Sequence, residues 1–262
     1  VDVRKRRLDV LMVDRGLSRS RENAQAMILA GDVRVDRQVV TRPAATFPTG
    51  VEIDVVQPLP YVSRGGYKLA HALDQYRVSV DGLTVLDVGA STGGFTDVLL
   101  QRGARRVYAI DVGRGQLAWK LRQDARVVSL ERTNIRYVTS LPEPIAGAVV
   151  DVSFISLTQV LPPIARLLGS EGWIIALVKP QFEAGRDQVG KGGVVRDPAI
   201  HREVLNRVTQ SALELDFSLR GCTPSPILGP AGNREFLLWL DRTEASVSPE
   251  TAIADCVAAT VG

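Results

Sequence analysis

The first sixty residues change period partway along. Leu8, Leu11 and Met12 fall on one face of a helix predicted from Leu8 to Arg15, and Gly16 can stop it. Ser18 or Ser20 can cap a second helix whose Ala24, Met27 and Ile28 recur at helical spacing, with Gly31 just past its last turn. The period then drops to two: Val33 and Val35 alternate with Asp32 and Arg34, Asp36-Arg-Gln38 can turn, and Val51, Ile53 and Val55 alternate again. These are strands of a small sheet. Pro58 and Pro60 lack amide hydrogens, so residues 58–62 are read as a linker between a small α+β domain (1–57) and a larger domain (63–262).

Beyond the linker, apolar runs at Thr84–Val88, Arg106–Ile110, Val127–Leu130, Ala146–Val150 and Trp173–Val178 are separated by stretches mostly long enough for helices. That alternation predicts an α/β domain with a mostly parallel sheet and helices on both faces. Asp197-Pro198 opens a helix running to about Leu215. Two later runs, near Leu219–Pro226 and Phe236–Leu240, extend the sheet, at least one of them in an antiparallel edge hairpin.

Composition narrows the class. With 45% hydrophobic and 23% charged residues the chain is an ordinary globular protein. No apolar run approaches the roughly 18–20 residues that span a bilayer, and the basic start Arg4-Lys-Arg-Arg7 leads into an amphipathic pattern, so the cytoplasm is the expected location. Cys222, Cys256, His71 and His201 are isolated, which predicts neither a disulfide framework nor a protein-bound metal. The net charge of +3 is unevenly spread: residues 1–42 hold ten Lys/Arg against six Asp/Glu, leaving 22 against 23 elsewhere. A compact basic module beside a near-neutral one suits a polyanionic partner, although a solvated charged face explains the same excess.

The most informative stretch is Val85-Leu-Asp-Val-Gly-Ala-Ser-Thr-Gly-Gly-Phe-Thr-Asp-Val-Leu99, an apolar strand, a glycine-rich turn and an amphipathic helix. Gly89, Ala90, Ser91, Gly93, Gly94 and Phe95 form the turn, where small residues allow a ligand close to the backbone. The spacing is not the G-x-G-x-x-G dinucleotide fingerprint. The pattern D-x-G-x-x-x-G-G, from Asp87 to Gly94, resembles instead the first motif of methyltransferases that use S-adenosylmethionine (AdoMet). Asp111 closes the next strand, where its carboxylate can accept hydrogen bonds from ribose hydroxyls. Asn134 can lie beside the adenine or simply make a turn.

Charged residues also sit where apolar strands end. Asp151 follows Val150, Lys179 follows Val178, Lys68 lies in Ser63-Arg-Gly-Gly-Tyr-Lys68, and Glu235 lies in Gly229-Pro-Ala-Gly-Asn-Arg-Glu235. Taken singly, each can be half of a structural salt bridge. In order, Lys68, Asp151, Lys179 and Glu235 resemble the K-D-K-E tetrad of FtsJ-like ribose 2′-O-methyltransferases. Together with Asp151-Val-Ser-Phe-Ile-Ser156, Val178-Lys-Pro-Gln-Phe-Glu183 and Lys191-Gly-Gly-Val-Val195, they make the chain similar to the TlyA, or hemolysin A, family over nearly its whole length. Arg7-Leu-Asp-Val-Leu11, Ser18-Arg-Ser20 and Ala30-Gly-Asp-Val-Arg-Val35 resemble the small RNA-binding domain named after ribosomal protein S-four.

The resemblance implies a Rossmann-like, AdoMet-dependent methyltransferase acting on cytidine riboses of ribosomal RNA, with ribosomal RNA or ribosomal subunits as partner and no membrane role. The sulfonium methyl is already electrophilic, so the protein must mainly align it with the ribose oxygen and handle a proton. Lys179 can act as the base or as a fixed charge. Arg4, Lys5, Arg6, Arg19 and Arg21 supply phosphate contacts that position RNA without reading sequence. Arg64, beside Gly65-Gly66, can anchor RNA near the site or form a surface salt bridge. Rival functions are a noncatalytic RNA-binding assembly factor, a membrane-active hemolysin and a dehydrogenase.

Overall fold

A computed structural model of the chain describes residues 5–55, 60–243 and 248–260. Arg4, among the expected RNA contacts, and Pro58, in the expected linker, lie outside the described residues. By its internal contacts the chain divides into two compact units, Val1–Pro60 and Tyr61–Gly262.

In the smaller unit β1 (Lys5–Arg7) runs straight into α1 (Leu8–Asp14), and α2 (Arg21–Ala30) follows. Ser20 caps α2, its hydroxyl accepting from Asn23 N at 3.1 Å and satisfying one open donor of the first turn. Gly31 ends the helix in a left-handed conformation, φ 81°. β2 (Val33–Val35) lies antiparallel to both β3 (Gln38–Val39) and β5 (Ile53–Val55). Asp36 and Arg37 alone make the β2–β3 turn, with φ 48° and 68°, so Gln38, expected in the turn, already pairs with Val35. The pairing of β1 with β4 (Thr46–Pro48) was not predicted, because three-residue strands are too short to show a period.

Leu8, Met12, Ala24, Ile28, Val33 and Val35 form this unit's core. Beside them Asp9 is fully buried. Its carboxylate accepts from Arg7 Nε (3.0 Å) and Nη2 (2.8 Å), Arg21 Nε (3.0 Å) and Gln25 Nε2 (2.8 Å). It thereby joins the start of α1 to α2.

The larger unit opens with α3 (Gly65–Tyr76). Its sheet contains β6 (Thr84–Val88), β7 (Arg106–Ile110), β8 (Val127–Leu130), β9 (Ile145–Val150), β10 (Leu168–Val178), β11 (Ser218–Pro224) and β12 (Phe236–Asp241). Their spatial order is β11-β12-β10-β9-β6-β7-β8, and every pairing is parallel except those of β12, which is antiparallel to β10 and β11. β10 starts earlier than predicted because Gly169-Ser-Glu-Gly172 carries no apolar signal, and its register against β9 shifts there.

The connecting helices are α4 (Gly94–Gln101), α5 (Trp119–Arg122), α6 (Leu157–Leu167), α7 (Pro180–Glu183), α8 (Pro198–Leu213) and α9 (Pro249–Ala258). Val85, Val107, Val149, Ile175 and Leu177 pack with Leu69 and Leu73 of α3 and Val98 and Leu99 of α4. Their sequence neighbours Leu86, Tyr108, Ala148, Ile174 and Ala176 face α6, α8 and α9. Both faces are covered, which is why these strands read as continuous apolar runs. Tyr61 and Val62, placed in the linker by sequence, instead pack on the larger core, and Val62 N donates to Asp97 Oδ2 at 2.8 Å. Among the described residues no helix is long and apolar enough to cross a membrane.

The donors around Asp9, Arg7 first, hold its carboxyl well below the usual carboxylate range. A depressed folded-state pKa contributes stability that is present at neutral pH and is lost as acid protonates the group below about pH 4. Asp9→Asn is therefore expected to cost the smaller unit about 2–4 kcal/mol at pH 7. The measurement is hydrogen exchange of α1 and α2 amides in the full chain, and the deficit should shrink as pH falls below about 4.

Candidate active site

Parallel strands end at one edge of a sheet, and the residues that follow them share that edge. Gly89 follows β6, Asp111 follows β7, Asp151 follows β9 and Lys179 follows β10. β12 runs the other way, so Glu235, the residue before it, reaches the same edge. Ala176 pairs with Val150, so Lys179 starts two residues, roughly 7 Å, farther along than Asp151, and its long stem reaches back.

The four tetrad positions form two couples. Lys68 Nζ, on α3, lies 2.5 Å from Glu235 Oε2, with side-chain exposures of 9% and 1%. Lys179 Nζ lies 2.5 Å from Asp151 Oδ1 and donates a hydrogen bond to Ser153 Oγ at 2.9 Å. Asp151 Oδ1 therefore has the Lys179 ammonium as its ion-pair partner. All four side chains line one cavity of about 700 Å³. They are salt bridges, as the plainer sequence reading allowed, but salt bridges arranged around a space.

A second cavity of about 460 Å³ adjoins the first, and Gly89, Ser91, Asp151, Ser153 and Phe154 line both. Asp111 sits in its wall, with Oδ2 accepting from Ser91 N (2.8 Å) and Oδ1 from Gly113 N (2.7 Å). Each oxygen keeps a lone pair for a hydroxyl. Asn134 lines the same wall and caps a short 3-10 turn, its Oδ1 accepting from Arg136 N at 3.1 Å, so its turn-forming role is realised. No Lys or Arg lines this second cavity among the described residues. Carboxylate acceptors, an amide and no cation suit a nucleoside bearing a sulfonium better than a pyrophosphate.

Several expected cofactor contacts lie elsewhere. Asp87 is fully buried on β6 and lines neither cavity; its Oδ2 accepts from Thr96 Oγ1 at 2.6 Å, tying the strand to α4. Burial raises its carboxyl to about 7 despite that bond. Gly93, at φ 94°, also lines neither cavity, and a Cβ there would collide with the side chains of Leu117 and Leu121. A Cβ on Gly89 would meet the Asp151 carbonyl at 2.5 Å. These two glycines permit chain to pack on chain, and Gly89 also lines both cavities. Ala90, Ser91, Gly94 and Phe95 do line the first cavity.

Among the expected RNA contacts, Lys5, Arg6, Arg19 and Arg21 are exposed. Arg6 is paired with Asp14 and Arg21 with Asp9, whereas Lys5 and Arg19 have no partner among the described residues. Arg64 lines the first cavity and makes no salt bridge among the described residues; its Nη2 reaches Leu228 O at 3.5 Å. Sequence reasoning missed Phe154 and Phe182. Phe154 is 90% exposed with φ 64°, and its ring centroid lies 4.8 Å from that of Phe182. Each aromatic stands three residues after a tetrad member, a spacing that could have exposed them.

The doubly wound sheet, the glycine turn and the cation-free nucleoside cavity define an AdoMet-dependent type of methyltransferase fold. The FtsJ-like methyltransferase family matches residues 61–242, and the S4 domain matches residues 6–53. Over 260 residues the chain is 46% identical to the 16S/23S rRNA (cytidine-2′-O)-methyltransferase TlyA of Mycobacterium tuberculosis, covering 95% of this chain and 96% of that protein. It is 44% identical to hemolysin A of Brachyspira hyodysenteriae over 88% of this chain and 98% of that one. A solved structure from Streptococcus thermophilus, described as a hemolysin, superposes with a TM-score of 0.73 at 44% identity, covering 97% and 96% of the two chains. The chain belongs to the FtsJ-like methyltransferase family and carries an S4 domain.

A carboxyl whose folded-state pKa is raised favours folding in its protonated form. Its contribution is complete below the unfolded value near 4 and is lost as pH rises to about 7. Wild-type stability relative to Asp87→Asn should therefore fall between these limits, by at most about 1.4 kcal/mol per pH unit, and level off above them. Denaturant unfolding of both proteins across that range checks it; a constant difference would mean that Asp87 ionises freely.

Proposed function

We propose that this chain transfers the methyl group of AdoMet to the ribose 2′-hydroxyl of a cytidine in ribosomal RNA. The names of its relatives support the substrate class. The observation that carries the reading is the Lys179–Asp151 couple, 2.5 Å apart, in a cavity adjoining the nucleoside wall.

AdoMet, when bound, supplies an electrophilic methyl on sulfur. Asp111 would hold its ribose hydroxyls and Asn134 its adenine edge, with the Gly89–Ser91 backbone beneath. Lys179, held by Asp151 and Ser153, presents a fixed positive charge to the acceptor oxygen. An acceptor hydroxyl beside this couple would be oriented by Lys179 and Asp151 and would lose its proton to water as the methyl passed from sulfur to oxygen, leaving the neutral thioether. Lys68 and Glu235 neutralise each other and fix the opposite wall. Phe154 and Phe182 form an aromatic lip on which a base drawn out of the RNA can stack.

The division of labour belongs to the same proposal: residues 1–57 bind RNA, and the unit that begins at Tyr61 catalyses in the cytoplasm. Lys5 and Arg19, exposed and without partners among the described residues, are the first phosphate contacts to test.

With labelled AdoMet and separated ribosomal subunits, the wild type should place label on a cytidine 2′-oxygen; label absent from every subunit would sink the reading. Lys179→Ala should cut single-turnover methylation by at least about 100-fold while AdoMet affinity, measured by calorimetry, changes little. Lys179→Arg retains the charge and should keep a measurable part of the rate. If Arg were as inactive as Ala, Lys179 would be the base. Changing Lys5 and Arg19 to Glu should weaken rRNA binding and lower the salt slope by about 2, with AdoMet affinity unchanged.

A further inference from the structure

The segment after β9 holds a conformation it would not adopt alone. Phe154 has φ 64°, a left-handed backbone that an aromatic residue rarely takes, and its ring stands 90% exposed at the first cavity. Such a conformation persists where the surrounding structure fixes both ends. One end is fixed by the sheet, through Asp151 N donating to Val88 O at 2.9 Å.

The other end is fixed by a side chain from a different loop. Glu183, the last residue of α7 and four beyond Lys179, is buried at 8% exposure. Its Oε1 accepts from Leu157 N at 2.7 Å and its Oε2 from Ser156 Oγ at 2.6 Å. Its own carbonyl is held by Arg207 Nη2 of α8 at 2.5 Å. Ser156 Oγ accepts from Thr158 N at 3.2 Å, and Glu183 serves the other donor of that turn, Leu157 N, from outside the helix. Burying a carboxylate is costly, and here the cost is met by two hydrogen bonds that join one loop to the other.

We propose that Glu183 is a positioning residue for methyl transfer, tying the loop after β10 to the loop after β9 and so holding Ser153 and Phe154 against the acceptor cavity. The inference rests on the acceptor reading given above. Lys179–Asp151, Lys179–Ser153 and Phe182–Phe154 join the same two loops near their start. Glu183 closes the bracket at its far end. Without it, the backbone at Phe154 relaxes, the ring leaves the lip, and Ser153 no longer steadies Lys179.

The test uses full-length Glu183→Ala, Glu183→Gln and Phe154→Ala and the Ala/Ala double variant, with AdoMet affinity by calorimetry and single-turnover rRNA methylation at saturating AdoMet. Glu183→Ala should bind AdoMet nearly as the wild type does but react roughly 10–100-fold more slowly. Glu183→Gln keeps an acceptor for Leu157 N and an amide for Ser156, and should recover most of the rate. The double variant should lose less than the product of the two single losses, because part of the Glu183 effect runs through the Phe154 ring. A native rate in Glu183→Ala, or fully multiplicative losses in the double variant, would overturn the proposal. Should the Ala variant not fold, Glu183→Asp, one methylene too short to reach both donors, takes its place, and a native rate there is equally fatal. Wild type that methylates no rRNA removes the acceptor reading itself; active wild type indifferent to Glu183 removes only this inference.

Discussion

The two lysine–carboxylate couples at the end of the sheet are what the larger unit is arranged to hold. A lone buried charge is prohibitively costly, and even a buried pair is often less stable than apolar side chains of the same volume. Lys68–Glu235 and Lys179–Asp151 are thus poor choices for stability alone. Backbone geometry around them is committed to bringing the partners together. The two-residue overshoot of β10 past β9 lets Lys179 reach back to Asp151. α3 approaches α4 so closely that a Cβ on Gly94 would lie 3.0 Å from Gly66 N, which keeps the turn carrying Lys68 beside the cofactor loop.

Two buried aspartates show how partners decide what burial does. Asp9 has donors on every side, so its charged form is favoured although no part of it is exposed. Asp87 has Thr96 on one oxygen and nothing on the other, so desolvation wins and the neutral form is favoured. Sequence presents both as an acid among apolar neighbours. Only the second sits under the glycine turn, where Asp111 and Asp151 add negative charge nearby.

What the sequence made legible was what repeats or stands at a boundary. The helix caps Ser20 and Asp197, the apolar strand cores and the charged residues after Val150 and Val178 all follow from period and position. The expected antiparallel strand also exists, although β12 lies inside the sheet and β11 takes the edge. Illegible parts depend on distant chain. Gly93 looked like a ligand contact because nothing local shows that Leu117 and Leu121 press on it. Phe154 drew no notice in the sequence, since its exposure depends on a left-handed backbone that no local pattern announces. The pairing of β1 with β4 and the early start of β10 lack any periodic signal.

The reversed strand β12 gives the site an order of assembly. The nucleoside wall draws mainly on residues 88–160, contiguous strands and helices that can pair soon after they are made. Lys68, by contrast, meets Glu235 across 167 residues of chain, and Glu235 arrives only when β12 inserts between β10 and β11. A chain still being synthesised can therefore form the cavity beside Asp111 well before it can form the cavity that Glu235 lines. The last piece to fold is the one that supplies Glu235, so an unfinished copy leaves the buried Lys68 without its partner.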